Sequence, residues 1–242
     1  MATTPEAVRG SGLEQAQKIR RLFSEIAPRY DLLNHLLSLN ADRRWRRRAV
    51  AMLGWEQRPD RVYLDACAGT CDLSVELAGR RGFRGRVIAT DFAEPMLVAG
   101  LPKIAGRAVA PVCGDALRLP FVGEAFAGAT VGFGVRNLAD LDGGLAELWR
   151  VLEPGARLVV LEFTTPPNPL LRRLYLLYFH RILPQVGRWV SGHPWAYSYL
   201  PASVQVFPEA AELAQRMRRV GFRAASWSHL SGGIAALHVA TK

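Results

Sequence analysis

The sequence predicts an α/β domain built around a doubly wound, mostly parallel β-sheet. Short apolar runs alternate with helical stretches along the middle of the chain, which is typical of parallel strands joined by helices. The chain has 242 residues, 50% of them hydrophobic, and can bury one sizeable core. The runs expected to form the first five strands are Val62–Leu64, Val87–Ala89, Ala108–Ala110, Ala129–Val131 and Leu158–Leu161.

Helices are expected between these strands and after them. Helical periodicity covers Leu73–Ala78, Pro95–Leu101, Leu141–Leu152 and Pro208–Val220, with Gly221 as a stop signal. Two last strands are expected at about Ala224–His229 and Ala235–Ala240. The pattern therefore predicts a seven-stranded sheet with helices packed on it.

The chain is basic, with a formal net charge of +10 from 31 basic and 21 acidic residues. This balance favours nucleic acid or an anionic membrane surface as a partner, although an arginine-rich composition alone would produce it too. The three cysteines, Cys67, Cys71 and Cys113, lack the spacing of a disulfide framework, which favours a reducing compartment. Neither a signal peptide nor a run of about 18 apolar residues is visible, so we expect a soluble or peripheral protein.

The turn after the first strand, Asp65–Asp72, is rich in small residues. Such residues let a ligand approach the backbone where the strand order of a doubly wound sheet reverses. The turn has one glycine and does not match the GxGxxG pattern, so a nucleoside without phosphates fits better than a dinucleotide. A tight turn with no ligand is the alternative interpretation.

Acidic residues follow the next two strands. Asp91 closes the second strand, at a position where a carboxylate can bind ribose hydroxyls. Asp115 follows the third, and could accept a hydrogen bond from an adenine amino group. Either one alone could be a helix cap, but together with Asp65 they favour a nucleoside site. A lysine-bearing P-loop is absent, which argues against ATP.

Several longer segments resemble the ubiquinone/menaquinone biosynthesis C-methyltransferases, over about Ile19–Lys242. The segments that carry the resemblance are Leu22–Asn34, Asp42–Arg46, Gly114–Ala116, Leu119–Phe121, Gly132–Asn137, Leu161–Phe163, Tyr199–Pro201 and Gly232–His238. The most specific are Gly132–Asn137, which contains Phe-Gly-Val-Arg-Asn, and the Gly-Gly-Ile-Ala-Ala-Leu-His segment near the end.

The resemblance implies a class I S-adenosylmethionine-dependent methyltransferase fold, which is Rossmann-like, with seven strands, an antiparallel last strand and helices on both faces. It implies S-adenosylmethionine as methyl donor, S-adenosylhomocysteine as product, no metal, and a polyprenyl hydroquinone as acceptor. The expected reaction converts demethylmenaquinol to menaquinol. The residues expected to bind the cofactor are Asp65, Cys67, Gly69, Thr70, Asp91, Phe92, Asp115, Ala116 and Gly132.

Four residues are candidates for the chemistry. Arg136 could stabilise the phenolate of the acceptor, or form a surface salt bridge instead. Asn137 could bind a ring oxygen or cap a helix. Glu162 and His180 are candidate proton acceptors, although a lone histidine in an apolar stretch more often packs in the core or at an interface. The expected substrate-binding residues are Tyr30, Asn34, Phe133 and Tyr199. The three aromatic residues among them could equally belong to the core.

The domain organisation follows from the same pattern. We expect residues 1–18 to be a flexible leader and 19–242 a single methyltransferase domain. Within it, residues 19–53 form a helical cap over the substrate, broken at Pro28, and 165–200 a helical insertion over the active site. The leucines of 32–39 and the apolar stretch 168–190 could line a channel for the polyprenyl tail. The arginine run Arg43–Arg48 could contact anionic headgroups or be a solvated helix face.

From these features we expect the protein in the cytoplasm. Peripheral contact with the inner face of the cytoplasmic membrane and formation of a homodimer are both left open. Nucleic acid is not expected as a partner, because no RNA-binding motif accompanies the basic charge. The absence of such a motif also argues against an RNA methyltransferase. C-methylation of a benzoquinol precursor of ubiquinone or of another lipid-soluble phenol stays open, and so does a non-catalytic S-adenosylmethionine-binding subunit. The sequence departs from the family pattern at Cys67, Cys71, Ala127 and Gly132, and the departures at Cys71 and Ala127 keep the non-catalytic subunit open.

Overall fold

The computed structural model describes residues 12–27, 30, 31, 34, 38, 40–178 and 194–242. Helix α1 spans Gly12–Ile26, so the segment expected to be a leader is helical from Gly12 onward. Residues 1–11 lie outside the described residues, and so do the leucines at 32, 33, 36, 37 and 39. The boundary expected near residue 18 therefore has no counterpart within α1.

Seven strands form one sheet, as the sequence predicts. They are β1 Val62–Ala66, β2 Arg86–Asp91, β3 Val109–Cys113, β4 Phe126–Gly132, β5 Leu152–Phe163, β6 Ala224–Leu230 and β7 Ala235–Thr241. Their order is β3-β2-β1-β4-β5-β7-β6, and β7 alone runs antiparallel to its neighbours. The strand β5 begins six residues before the predicted run, because the chain passes from helix to strand at Leu152 without a loop.

Seven further helices are described. They are α2 Ala41–Met52, α3 Asp72–Ala78, α4 Glu94–Ile104, α5 Leu141–Val151, α6 Pro169–Leu177, α7 Pro194–Val206 and α8 Ala210–Arg219. Local capping explains two of the starts: the Asp140 carboxylate accepts a hydrogen bond from the Gly143 amide, and the Asn168 side chain accepts from the Leu170 and Leu171 amides.

The helices lie on both faces of the sheet, and the strands show this by alternation. Leu158 and Val160 of β5 pack in one cluster with side chains of α5 and α8. Val159 and Leu161 pack in another with side chains of α2 and α3. Successive strand residues point to opposite faces, so each face has its own buried layer. The fold class expected from the sequence is confirmed.

The strand order reverses between β1 and β4. The chain runs outward through β2 and β3 before returning to place β4 on the other side of β1. In doubly wound sheets, the crevice at the carboxyl ends of such strands is where ligands bind. The fold therefore directs attention to the turns after β1 and β4.

His238 joins the last strand to helix α8. It is fully buried, and its Nε2–H donates to the Ala210 carbonyl at 2.9 Å, whereas the buried Nδ1 has no partner among the described residues. Burial lowers the pKa of His238 to about 4, with a smaller opposing effect from that hydrogen bond. A proton on Nδ1 would have no acceptor.

We therefore expect His238 to weaken the fold in acid. The unfolded chain takes up a proton on this residue below about pH 6.5, while the folded chain resists until about pH 4. The stability advantage of the wild type over His238→Gln should then decline by up to roughly 3 kcal/mol between those pH values. Urea unfolding of both proteins across this range measures the difference, in which the contributions of buried carboxyl groups cancel. Parallel stability curves would show that His238 does not titrate in this way.

Candidate active site

A cavity of about 680 Å³, counted out to its open mouth, lies at the carboxyl ends of β1, β2 and β4. Ten of the predicted site residues line it: Tyr30, Cys67, Gly69, Asp91, Phe92, Asp115, Ala116, Gly132, Phe133 and Asn137. The residues of the lining that the sequence did not single out are Phe23, Met96, Gly114, Leu117, Gly134, Leu138 and Ala139.

The turn after β1 makes the floor of the cavity. Its backbone alternates into the left-handed region, with φ of 51° at Cys67, 55° at Gly69 and 66° at Cys71. Glycine adopts this conformation without cost, but each cysteine pays about 1 kcal/mol or more in steric strain. Cys71 is fully buried and packs in an apolar cluster, which offsets part of that strain. The cysteines thus occupy positions that backbone conformation alone would assign to glycine.

The turn after β4 touches this floor. A Cβ added to Gly134 would lie 2.4 Å from the Cβ of Cys67, so the two backbones meet where no further side chain fits. A Cβ at Gly132 would lie 2.7 Å from the Leu73 side chain. The absence of a side chain at Gly132 therefore lets the end of β4 pack closely on α3. Gly134 could have been found from its place in the Phe-Gly-Val-Arg-Asn segment.

Asp91 is the acidic residue best placed in the cavity. Its carboxylate accepts hydrogen bonds from the Gly69 and Ala93 amides, both at 2.9 Å, and it is 7% exposed. Burial raises its pKa, and these backbone donors act against that rise. A carboxylate oxygen can accept more than one hydrogen bond, so Asp91 retains acceptor capacity toward a ligand hydroxyl.

Asp115 lines the cavity at its exposed rim. One carboxylate oxygen accepts from the Leu117 amide at 2.9 Å. The other remains available to a donor in the cavity. The two acids that follow β2 and β3 therefore both reach the site.

Asp65 lies outside the cavity lining. Its carboxylate is buried and accepts from the Ser74 amide and hydroxyl at 2.9 and 2.6 Å and from the Thr130 hydroxyl at 3.1 Å. Burial raises its pKa to about 6, and these hydrogen bonds act against the rise. Asp65 joins β1 to α3 and β4 beneath the turn, so its effect on a ligand is indirect.

Thr70 also points away from the cavity lining, into a cluster with Lys103, Asp31 and Asp72. The Thr70 hydroxyl donates to Asp31 at 2.5 Å and accepts from Lys103 at 2.9 Å. The Lys103 ammonium lies 2.7 Å from Asp31 and 2.5 Å from Asp72. This Lys103 cluster fixes Asp31, and with it the neighbouring Tyr30, to the turn after β1.

Tyr30 covers that turn. A Cβ added to Gly69 would lie 3.7 Å from Cε1 of the Tyr30 ring, so the ring rests near the backbone of the turn. Burial raises the pKa of Tyr30, and a hydrogen bond with the side chain of Asn34 acts against that rise. Asn34 does not itself line the cavity.

The arginine run on α2 divides into two parts. Arg46 is buried, forms an ion pair with Asp42 and lies 3.1 Å from Asp72. The expectation that the whole run faces outward is wrong for Arg46 and for the buried Trp45. The exposed arginines are Arg43, Arg44, Arg47 and Arg48.

Arg136 and Glu162 form a buried ion pair beside the cavity. The side chains are 5% and 0% exposed, and Nη1 of Arg136 lies 2.6 Å from a Glu162 oxygen. Glu162 also accepts from the amides of Phe163 at 2.9 Å and Arg136 at 3.3 Å. Arg136 donates from Nη1 to the Phe133 carbonyl as well, while its buried Nε has no partner among the described residues.

Opposing effects set the pKa values of this pair. Burial raises the pKa of the Glu162 carboxyl, and the Arg136 charge and the N–H donors act against the rise. Burial acts to lower the pKa of Arg136, but the Glu162 charge, the nearby Tyr30 and Tyr199 and the hydrogen bond to Glu162 together outweigh it and raise that pKa. Arg136 is therefore held as a cation, and the alternative of a surface salt bridge is wrong.

Tyr199 reaches the same region from helix α7. Its hydroxyl donates to Oδ1 of Asn137 at 2.9 Å, and Nδ2 of Asn137 donates to the Phe133 carbonyl at 3.3 Å. Burial raises the pKa of Tyr199 to about 12, so it remains a neutral donor. Tyr199 supports a residue of the lining without itself belonging to the lining. His180 lies outside the described residues.

A model of the ubiE/COQ5 methyltransferase family matches residues 12–242. The chain belongs to this family. The demethylmenaquinone methyltransferase of Thermus thermophilus is 48% identical over 90% of this chain and 98% of its own length. The enzyme of the same name from Deinococcus radiodurans is 44% identical over 96% of both chains. The ubiquinone/menaquinone biosynthesis C-methyltransferase UbiE of Geobacter sulfurreducens is 41% identical over 95% of this chain and 90% of its own.

Solved structures share the family's fold at low sequence identity. One is an S-adenosylmethionine-dependent methyltransferase of Thermotoga maritima, described as a possible histamine N-methyltransferase. Its TM-score is 0.63 at 19% sequence identity, and the match covers 92% of this chain and 98% of that one. The [4+2]-cyclase SpnF has a TM-score of 0.67 at 16% identity, covering 94% and 96%. These likenesses establish the fold and leave the chemistry to the site.

Two negative findings hold for the described part of the chain. None of its helices is long and apolar enough to cross a membrane. No three of its His, Cys, Asp or Glu side chains come together where they could hold a metal ion.

The buried pair leads to a stability prediction. Arg136→Met leaves the Glu162 carboxylate without its counter-ion and should lower the free energy of unfolding by about 3–5 kcal/mol. Adding Glu162→Gln should recover part of that loss, because the buried charge is then gone. Denaturant unfolding of the two variants measures the coupling. Arg84→Met is the matched control, since Arg84 pairs with Asp60 at the surface and should change stability little. Equal loss in the single and double variants would argue against an electrostatic pair.

Proposed function

We propose that the protein transfers a methyl group from S-adenosylmethionine to a ring carbon of demethylmenaquinol, giving menaquinol and S-adenosylhomocysteine. The observation that carries this is the full-length likeness to relatives named demethylmenaquinone methyltransferases, at 44–48% identity. The cavity supports it, because residues of the family's most specific segment, Gly132–Asn137, lie in its wall beside the buried Arg136.

The cavity fits the methyl donor in two respects. The small residues Cys67, Gly69 and Gly134 line its floor, which lets a ligand approach the backbone there. The acids at its edge are separated, with Asp91 near the floor for ribose hydroxyls and Asp115 at the rim for an adenine amino group. Phe92 and Met96 supply apolar surface between them.

S-adenosylmethionine supplies the methyl group as an electrophilic sulfonium substituent. The acceptor carbon becomes nucleophilic as the neighbouring hydroxyl gives up its proton. After the new bond forms, that carbon releases its hydrogen as a proton and the ring oxygen takes one back, so each transfer releases one proton in total. Arg136 would stabilise the phenolate by charge, and its unpartnered Nε is a buried donor available to the acceptor oxygen or to a water bound there. A guanidinium does not itself accept the proton.

Glu162 would act as a positioning residue for Arg136. All three of its described donors come from Arg136 and Phe163, and the carboxylate is fully buried. A carboxylate held in this way orients the guanidinium rather than collecting protons from the substrate. The second candidate acceptor, His180, lies outside the described residues, and Asn137, held by Tyr199, would orient the ring.

The two helical segments would enclose the acceptor. Phe23 and Tyr30 of the N-terminal segment line the cavity, and Tyr199 of the later segment supports Asn137. These contacts support a substrate cap at 19–53 and an insertion over the site at 165–200. We place the enzyme at the inner face of the cytoplasmic membrane, where its lipid-soluble acceptor resides and where the four exposed arginines of α2 would meet anionic headgroups.

A second acceptor class is a benzoquinol precursor of ubiquinone. One relative, from Geobacter sulfurreducens, has a name that joins ubiquinone and menaquinone. The ring walls, Phe133 and Tyr30, are aromatic surfaces that could hold either ring.

The deciding experiment offers the purified protein both acceptors. With labelled S-adenosylmethionine, label should enter demethylmenaquinol, with a kcat/KM at least about 10-fold above that for the matching demethylated benzoquinol, since a misplaced ring loses the orientation that transfer needs.

Asp91→Ala should weaken S-adenosylhomocysteine binding by about 1.5–3 kcal/mol, the range for hydrogen bonds to charged groups. Intact cofactor binding without transfer to either ring would instead identify a non-catalytic subunit.

Arg136 should act mainly in the transition state. We expect Arg136→Ala to lower turnover by about 100- to 1,000-fold, as for loss of one oxyanion donor, and to leave S-adenosylhomocysteine affinity nearly unchanged. Arg136→Lys should restore part of the rate, because it keeps the charge but loses the planar fork. The pH–rate profile of Arg136→Ala should move to higher pH, since the phenol ionises less readily without the cation. Turnover near that of the wild type in Arg136→Ala would remove Arg136 from the mechanism.

A further inference from the structure

Helix α6 has two apolar sides. Its inner side packs on the protein: Tyr175 is 7% exposed, and the Leu171 side chain lies against the turn at Gly232, where an added Cβ would come within 2.5 Å of it. Burial raises the pKa of Tyr175, and the charges of Arg136 and Glu162 also act on it. The inner side of α6 therefore packs against the protein, within electrostatic range of the buried ion pair.

The outer side of α6 carries a stripe of exposed leucines. Leu170, Leu174 and Leu177 are 70%, 57% and 52% exposed. Their spacing of four and three residues places them on one face of a helix. Clustered exposed apolar residues of this kind mark an interaction surface.

The charged residue beside this stripe is a cation. Arg173 is exposed and lies next to the leucines on the helix surface, whereas Arg172 lies on the far side of the helix and donates from Nε to the Pro166 carbonyl at 3.0 Å. Helix α6 contains no acidic residue, and the sequence between Glu162 and Glu209 has no aspartate or glutamate. The outer face of α6 is thus apolar with a cation at its edge.

This combination selects among occupants. A second copy of the same face would bring Arg173 near its own counterpart with no acidic residue of α6 to pair with, and like charges in contact repel. A polyanion such as nucleic acid would satisfy the arginine but leave the leucines in water. An anionic lipid bilayer satisfies both, because it offers phosphates at the surface and hydrocarbon just beneath.

We propose that the outer face of α6 seats the protein on an anionic lipid bilayer, with Leu170, Leu174 and Leu177 at the boundary of headgroups and acyl chains and with Arg173 among the phosphates. The proposal rests on the proposed function only in taking the acceptor to be lipid-soluble. The inner side of α6 packs on the turn at Gly232, so the same helix would face the protein on one side and the membrane on the other.

The test compares vesicle binding of three proteins. The variant Leu170→Gln/Leu174→Gln/Leu177→Gln should partition onto vesicles of phosphatidylcholine mixed with phosphatidylglycerol about 10- to 100-fold less than the wild type. The matched control is Val98→Gln/Leu101→Gln, which removes exposed apolar residues from α4 and should bind as the wild type does. Cosedimentation with vesicles of several sizes gives the partition coefficients. Affinity for S-adenosylhomocysteine, measured by calorimetry, should be unchanged in both variants and shows that they are folded.

Each other outcome contradicts the proposal. Wild-type partitioning of the triple variant would exclude the leucine stripe, and equal loss in the α4 control would indicate unspecific adhesion. Self-association of the wild type that disappears in the triple variant would assign the face to a second copy. Vesicle binding is measured without an acceptor, so a failure of the proposed methyl transfer would leave this result standing, and the reverse also holds.

Discussion

The arrangement of the site depends on a carboxylate buried at the end of β5. Glu162 has no access to solvent, so it requires a counter-charge, and Arg136 supplies both a guanidinium and a backbone amide. That requirement determines the path of the chain after β4, where Arg136 also donates to the Phe133 carbonyl and Asn137 supports the same carbonyl. Tyr199 then fixes α7 to Asn137. A pair of this kind contributes more to a unique arrangement than to net stability, since burying two charges costs about as much as their attraction returns.

Much of this structure could be predicted from the sequence, because it depends on periodicity and position along the strands. The alternation of apolar runs and helices located all seven strands, and the residues after β2 and β4 do meet at one cavity. The direction of a single side chain was not predictable in the same way. Asp65 and Thr70 stand where cofactor contacts were expected, yet one bonds Ser74 and Thr130 and the other joins the Lys103 cluster. Similarly, the arginine run does not reveal that Arg46 turns inward to two aspartates. Such choices depend on partners far away in the sequence.

The fold by itself is neutral about chemistry. The same fold appears in a protein named as a [4+2]-cyclase, so a Rossmann-like sheet with a cavity at its carboxyl edge does not identify a methyl acceptor. In the proposed function, one side of the cavity, formed by the segment from Gly132 to Asn137, would determine the acceptor. The opposite side, with Asp91 and the turn after β1, would bind the methyl donor. Specificity and cofactor binding would then be divided between the two sides of the point where the strand order reverses.

The Lys103 cluster also makes one wall of the cavity sensitive to salt. Asp31 is joined to Lys103 and Thr70, and Tyr30 beside it covers the turn after β1. Any movement that uncovers the cavity on this side must separate those charges, which lie only partly out of water. Salt weakens such contacts, whereas it hardly affects the fully buried pair of Arg136 and Glu162. The contact of Tyr30 with the turn after β1 should therefore loosen with ionic strength while the geometry of Arg136 and Glu162 stays the same. In this way a single lysine outside the cavity lining would govern how firmly one wall of the cavity is held.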